Sequence, residues 1–310
     1  MDALSHLLSL ARPRVRVDER CLLAGSFTLV NEAPPPGEAM FHLLLAGQCR
    51  MQTDTGTVLD LRAGDFVLLP RGDPHTLRDR PPAGRPPTVP AWQPRPASGP
   101  PLKCDTSTPS ADDVDLLCGH FSYRQGAGSL LVRMLPPVLR VCLHDIDSLH
   151  GLVALLRSEV VRPSPGGLAV IDALGQTLFS LALRTWSTDG RTPAGVLALA
   201  TDARLGPSIQ AMMRTPGAPW TIESLGALVG MSRATYARHF QRLAGIGVAE
   251  LLQSIRLMHA CELLRHTRRS LGDIAQAVGY RSEASFGKAF RQSLGQAPGK
   301  WRRADGIRHD

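Results

Sequence analysis

Leu225-Gly226-Ala227-Leu228-Val229-Gly230-Met231-Ser232-Arg233 and Ile274-Ala275-Gln276-Ala277-Val278-Gly279-Tyr280-Arg281-Ser282-Glu283 are one pattern written twice. Each copy has an apolar residue, a small one, Val-Gly three positions on, and then a serine. Each is followed by an aromatic pair at i, i+4 spacing, Tyr236 with Phe240 and Phe286 with Phe290. The offset is 49 residues before the turn and 50 after it, so the second turn carries one extra residue. The pattern predicts a helix-turn-helix. Gly226 and Ala275 leave room for a crossing helix, and Gly230 and Gly279 accept positive φ at a helix end. Ser232 and Ser282 can cap the next helix through their hydroxyls. The aromatic pairs then face inward and leave the opposite face open. A single Val-Gly before a serine is common, whereas two copies in one register are a repeat, expected over 221–243 and 271–293.

The spacer agrees. Val248 to His266 contains no Gly or Pro. Leu251, Ile255 and Met258 fall on one helical face, with Leu257, Cys261 and Leu264 on the next, as a buried connecting helix needs. The run Arg256 to Leu264, the run Ile274 to Tyr280 and the tail Phe290 to Arg303 resemble the DNA-binding domain of the AraC/XylS transcription regulators. Gly245-Ile246-Gly247 departs from that pattern, where members often carry a proline like Pro298. The resemblance implies double-stranded promoter or operator DNA as partner, with RNA polymerase a further partner it admits. Projection from the start of each second helix assigns Arg233, Ala234, Thr235 and Arg238, then Glu283, Ala284, Ser285 and Lys288, to base edges. Ser232, Arg242, Ser282, Arg291, Arg302 and Arg303 are assigned to phosphates.

Charge is distributed accordingly. The chain has 310 residues and a net charge of +8. Residues 204–310 hold 16 Lys/Arg and 7 Asp/Glu, a balance of +9, which leaves residues 1–203 at −1. Attraction to phosphate follows such an excess. No run approaches twenty apolar residues, and no basic segment followed by an apolar core opens the chain, so a cytoplasmic protein without a membrane span is expected.

The first half changes character. Short strands are expected over Cys21–Leu29, Ala39–Ala46, Cys49–Thr53, Val58–Leu61, Phe66–Leu69 and Val114–Tyr123, broken by Gly, Asp and Pro. That spacing suggests an antiparallel barrel or sandwich. Gly64 to His75 has a glycine, five residues, Pro70-Arg71-Gly72, two residues and His75. This resembles the second motif of cupin barrels. The first cupin motif supplies two more histidines and a glutamate; here the corresponding strand has only His42. Two ligands fall short of a metal site, so His42 and His75 are expected as structural histidines and no cofactor is assigned. Residues 81–110 hold 10 of the 25 prolines and receive no element. A shorter segment, Ser129–Met134, follows the last strand. Helices are expected over Ser148–Val161 and Leu168–Trp186, as a pair packed on the barrel or, as the family resemblance implies, a homodimer seam. Residues 187–203 read as an interdomain linker, and Arg204–Met213 as the first helix beyond it.

The expected fold is therefore multidomain α+β. A cupin-like β-barrel sensor with flanking helices spans 1–145, a helical dimerisation and linker region 146–200, and an all-α domain with two helix-turn-helix units joined by a linker helix 204–305. No catalytic residue is assigned.

Six cysteines occur, with no Cys-x-x-Cys, so no zinc cluster is expected. The opening Met1 to Ser5, Cys21, the His42 strand, Gly64 to His75, Cys118-Gly119 and Ser208 to Leu225 resemble a cupin-bearing branch of the family that includes a reactive-chlorine-responsive activator. That resemblance implies that Cys21 and Cys118 sense oxidation, a thiol being converted to a species that a second thiol resolves to a disulfide. Cys104 is a rival partner. Two alternatives stay open: an organic effector inside the barrel, or a metal-dependent cupin enzyme fused to a DNA-binding tail.

Overall fold

A computed structural model describes residues 2–11, 13–23, 27–35, 37–79, 91–92, 102–104, 113–123, 126–133, 135–143, 147–162, 164–188 and 195–306. Along the chain run α1 (Ala3–Ala11), β1 (Arg14–Leu23), β2 (Thr28–Asn31), β3 (Glu38–Ala46), β4 (Gln48–Thr53), β5 (Val58–Arg62), β6 (Asp65–Leu69) and β7 (His75–Arg78). Then come β8 (Ala91–Trp92), β9 (Leu102–Cys104), β10 (Val114–Ser122), α2 (Ala127–Arg133), β11 (Leu139–Cys142), α3 (Asp147–Val161) and α4 (Gly167–Thr188). Helices complete the chain: α5 (Val196–Thr201), α6 (Gly206–Arg214), α7 (Ile222–Leu228), α8 (Arg233–Ala244), α9 (Val248–His266), α10 (Leu271–Ala277), α11 (Glu283–Leu294) and α12 (Pro298–Gly306). These elements form two compact units. One comprises residues 13–123 and 136–186; the other comprises 1–12, 124–135 and 187–310.

The strand unit contains two sheets. The seven-stranded sheet has the order β11-β6-β3-β10-β1-β9-β8, and the four-stranded sheet the order β2-β7-β4-β5. Alternation along each strand sends every second side chain to the shared interior. Cys21, Leu44, Val67, Leu116 and Cys118 from the larger sheet meet Leu29, Cys49, Met51, Leu61 and Leu77 from the smaller. The larger sheet's other face takes α4: Phe179 packs on Phe121 with ring centroids 4.4 Å apart, and Ile171, Leu178, Ala182 and Leu183 are buried. The Gly167–Trp186 stretch of α4 is long and apolar enough to cross a membrane by length and composition alone, with mean hydropathy 1.2. It nevertheless carries Asp172 and Arg184 and buries this stripe, as a helix covering a sheet does.

Several sequence expectations need correction. The strand expected over 21–29 is two elements, β1 and β2, on different sheets. The segment expected over Ser129–Met134 is a helix, α2. Within the proline-rich stretch β8 and β9 add to the sheet edge, β9 pairing parallel with β1; the side chain of Cys104, which closes β9, lies outside the described residues. The expected linker contains α5, because Val196, Leu197 and Leu199 have a core to enter.

The helix unit is built around α9, which buries Leu251, Leu252, Ile255, Leu257, Met258, Ala260, Cys261 and Leu264. That is a broader apolar surface than one stripe, and it has several partners. Besides α6 to α8 and α10 to α12, the unit includes α1, whose His6 ring stands edge-on to His259 at 5.5 Å, and α2, which buries Leu130 and Leu131.

Candidate nucleic-acid interface and sulfur–imidazole cluster

The repeated pattern becomes two helix pairs. In the first, Thr221 and Ser224 cap α7 reciprocally, a side chain accepting from the partner's backbone in each direction. Gly226 allows close approach: a Cβ there would lie 2.8 Å from the Met231 carbonyl. Gly230 turns the chain at φ 68, and Ser232 caps α8 by accepting from the Thr235 backbone N–H. In the second, Ser270 caps α10, Gly279 turns the chain at φ 87, and Ser282 caps α11 by accepting from Ser285 N–H. Tyr236, Phe240, Phe286 and Phe290 are fully buried, and Tyr236 Oη pairs with Ser208 Oγ at 2.8 Å.

The opposite faces are open. Arg233, Ala234, Thr235 and Arg238 are exposed on α8, as are Glu283, Ala284, Ser285 and Lys288 on α11. The structure thus brings each base-reading set together on one helix face. Arg233 Nε is ion-paired with Glu223 Oε1 of α7 at 2.6 Å, with both side chains exposed. Arg242, Arg291 and Arg303 are exposed. Arg302 differs: it is half-buried, and its Nη2 donates to the Arg269 carbonyl at 2.7 Å, which ties α12 to the turn before α10.

Arg256 escaped the sequence reading as a site residue. From α9 it donates through Nε to the Pro216 carbonyl (2.9 Å) and through Nη2 to the Ala218 carbonyl (3.1 Å), ahead of the first pair. The same Nη2 borders Gly279, the turn of the second pair. Burial lowers its pKa below the usual guanidinium range. One side chain therefore touches the approach to the first pair and the turn of the second.

In the strand unit, His42, His75, Cys21 and Cys118 converge. His75 Nδ1 lies 2.9 Å from the Asp73 carbonyl, which can only accept, so Nδ1 carries the proton and Nε2 is bare. His42 Nε2, 2.6 Å away, must then donate to it, and that leaves His42 Nδ1 bare, 3.1 Å from Cys118 Sγ. The Cys118 thiol can donate to that nitrogen. Both rings and both sulfurs are buried. Burial, with the charge of His75 second, holds the His42 pKa well below the ordinary imidazole value. A hydrogen bond with Cys21, then burial, holds the Cys118 thiol well above its ordinary value. The resting pair is a neutral thiol and a neutral imidazole. Cys21 and Cys118 sit diagonally across the β1–β10 ladder, beside a register shift between Val17 and Glu19. Their sulfurs and a Glu19 carboxylate oxygen lie within 4.8 Å of one another. The absence of Cys-x-x-Cys concealed this group, because strand pairing rather than local spacing assembles it. His42 and His75 do not form a cupin-style ligand pair through Nε2: two nitrogens about 2.0–2.1 Å from one ion stand more than 3 Å apart.

With both sites defined, comparison with known proteins adds the lineage. A family model described as Cupin matches residues 2–188, and one described as Helix-turn-helix domain matches residues 225–304. The chain belongs to the AraC/XylS family of DNA-binding transcription regulators, with an N-terminal cupin domain and a C-terminal helix-turn-helix domain. It is 30% identical over 306 residues to the RCS-specific HTH-type transcriptional activator RclR of Escherichia coli strain K12, covering 97% of each chain. It is 31% identical over 304 residues to an uncharacterized HTH-type transcriptional regulator of Haemophilus influenzae, covering 98% of this chain and 99% of that one. Identity to the HTH-type transcriptional regulator MtrA of Neisseria gonorrhoeae is 30% over 312 residues, covering 99% of each.

Proposed function

We propose that the two helix pairs are two helix-turn-helix units that read successive major grooves on one face of a promoter, about 34 Å apart. The observation that carries this is the repeated open face: α8 and α11 expose matching positions while burying matching aromatic pairs. Arg233, Ala234, Thr235 and Arg238 contact one set of base edges, and Glu283, Ala284, Ser285 and Lys288 the other. Arg242, Arg291 and Arg303 grip phosphates, Ser232 and Ser282 fix the helix starts beside them, and Arg302 positions α12. Binding DNA breaks the exposed Arg233–Glu223 pair, which costs little. In an anisotropy titration with a selected duplex, Arg233→Ala relaxes preference at one base pair and weakens binding by about 1–3 kcal/mol. An equal loss on every sequence would show that Arg233 reads phosphate only.

The signal is proposed to be oxidation of Cys21 and Cys118 in the cytoplasm. A thiol and hypochlorous acid give a sulfenyl chloride and water; the second thiol displaces chloride, forming the disulfide and releasing a proton. Juxtaposition across β1 and β10 supports the pairing. Burial makes opening of the sheet the slow step. The disulfide should therefore form at a rate that levels off with rising oxidant, after the partly exposed Cys142 has reacted. Non-reducing peptide mapping over time reads both. A promoter response that survives Cys21→Ser together with Cys118→Ser would exclude this signal and leave the DNA reading intact. Exposed Leu155, Leu168 and Val170 on α3 and α4 support a seam between two copies, which light scattering of the purified chain tests.

A further inference from the structure

We propose that Cys21, Cys118, His42 and Glu19 form a site for one soft d10 cation, Zn(II) or Cu(I), within the strand unit. Two thiolates and one imidazole suit either ion, and a carboxylate can complete the four ligands of Zn(II). The fold has already gathered three of them; the fourth, His42, stands beside Cys118 but outside that group, and closes on Cys21 and Glu19 by side-chain rotation. Glu19, Cys21 and Cys118 place a carboxylate oxygen and two sulfurs within 4.8 Å of one another, and His42 Nδ1 stands 3.1 Å from Cys118 Sγ. Tetrahedral bonds of about 2.3 Å to sulfur and 2.0–2.1 Å to nitrogen set sulfur and nitrogen about 3.6 Å apart. The Cys118–His42 contact must therefore open by about half an ångström, within the reach of side-chain rotation.

The nitrogen is also prepared. The chain of hydrogen bonds from the Asp73 carbonyl through His75 to His42 Nε2 fixes the tautomer that leaves Nδ1 bare. A ligating histidine needs such a partner on its other nitrogen, and His75 is that partner rather than a ligand. Binding replaces the two thiol protons, which pass to solvent, with two metal–sulfur bonds; no oxidant or reductant takes part. The proposal stands whether or not the same sulfurs also oxidise.

The test uses the full-length reduced protein under anaerobic conditions. Titration with Co(II) reads thiolate-to-cobalt charge-transfer absorption. Zn(II) is competed against a chromophoric chelator, and Cu(I) against bathocuproine disulfonate. The expected result is one ion per chain, with charge-transfer absorption that is lost in Cys21→Ser and in Cys118→Ser and kept in Cys142→Ser. His75→Ala weakens binding roughly 10–100-fold through loss of the support to His42. The Glu19→Gln arm separates the ions: lost Zn(II) affinity assigns a four-coordinate Zn(II) site, whereas intact Cu(I) affinity in a chain that never held Zn(II) assigns a three-coordinate Cu(I) site. Absence of charge-transfer absorption in the wild-type chain, with neither ion competing, overturns the proposal without recourse to any variant. Binding that persists when both cysteines are serine overturns it as well.

Discussion

Gly230 and Gly279 hold equivalent turns but not equivalent surroundings. Both need left-handed backbone, at φ 68 and φ 87. Nothing lies within 4 Å of where a Cβ on Gly230 would sit, whereas on Gly279 it would stand 2.7 Å from Arg256 Nη2 and 3.0 Å from the Gly217 carbonyl. Gly230→Ala therefore incurs only the left-handed penalty, about 1–2 kcal/mol. Gly279→Ala also displaces Arg256 from the Pro216 and Ala218 carbonyls, about 0.5–1.5 kcal/mol more for the half-buried hydrogen bonds lost. Urea unfolding of the two variants measures the difference, and equal losses would deny Arg256 its part in joining the pairs. The glycines were legible in the sequence because positive φ leaves a local signature. Arg256 was not, because its partners come from a distant segment and an arginine on a helix resembles any surface cation. The same asymmetry holds in the strand unit. His42 and His75 stood out against a known motif, but Glu19 and the thiol–imidazole contact appeared only once β1, β3 and β10 were in register.

At the scale of elements, the long helices, most strands and the short helices inside the repeat were readable, but short elements outside any motif were not. Strand β7 has four residues after a proline, and α5 has six; neither is long enough for periodicity to emerge. Helix α1 carries Leu4, Leu7 and Leu8 at helical spacing, which says nothing of its partner. The structure sets His6 of α1 against His259 of α9. Burial, then the charge of His6, pushes His259 down to about 4, against a backbone hydrogen bond with Met213 that favours the charged form. Burial lowers His6 too. Both folded values lie below the ordinary 6.5, so protonation opposes the fold. The contribution is complete above pH 6.5 and is lost as pH falls towards about 4. A shift of this size is worth at most about 3 kcal/mol, less for the solvent that His259 still meets. The urea midpoint of the wild-type chain should therefore drop between pH 7 and pH 4.5 by more than that of His259→Gln. Parallel curves for the two proteins would show that the α1–α9 contact does not titrate.

For the whole molecule, the proposed control of DNA binding by the sulfurs needs a route between them, and the covalent path is short. Strand β10 carries Cys118 and ends at Ser122; α2 begins at Ala127 and belongs to the helix unit. There it buries Leu130 and Leu131, and Arg133 Nη1 donates to the Ser293 carbonyl at the end of α11, 2.8 Å away. A shift in the β10 register, forced by a disulfide or an ion at Cys118, would pull on a helix bonded to α11, which is proposed to read DNA. Gly126 is the joint. Its φ is +92, and a Cβ there would lie 2.6 Å from Cys261 Sγ on α9 and 3.0 Å from the Trp301 ring. Gly126→Ala must push α2 off α9 and α12, because buried sulfur and indole leave no room for a methyl group. The variant should unfold at lower urea than the wild type. Its DNA affinity should also differ less between the reduced and the oxidised chain, because the relay no longer seats. Anisotropy titrations of both proteins in both states measure that ratio. A ratio equal to that of the wild type, with the helix unit still folded by circular dichroism, would mean that the signal bypasses α2 and travels by another of the chain's crossings between the units.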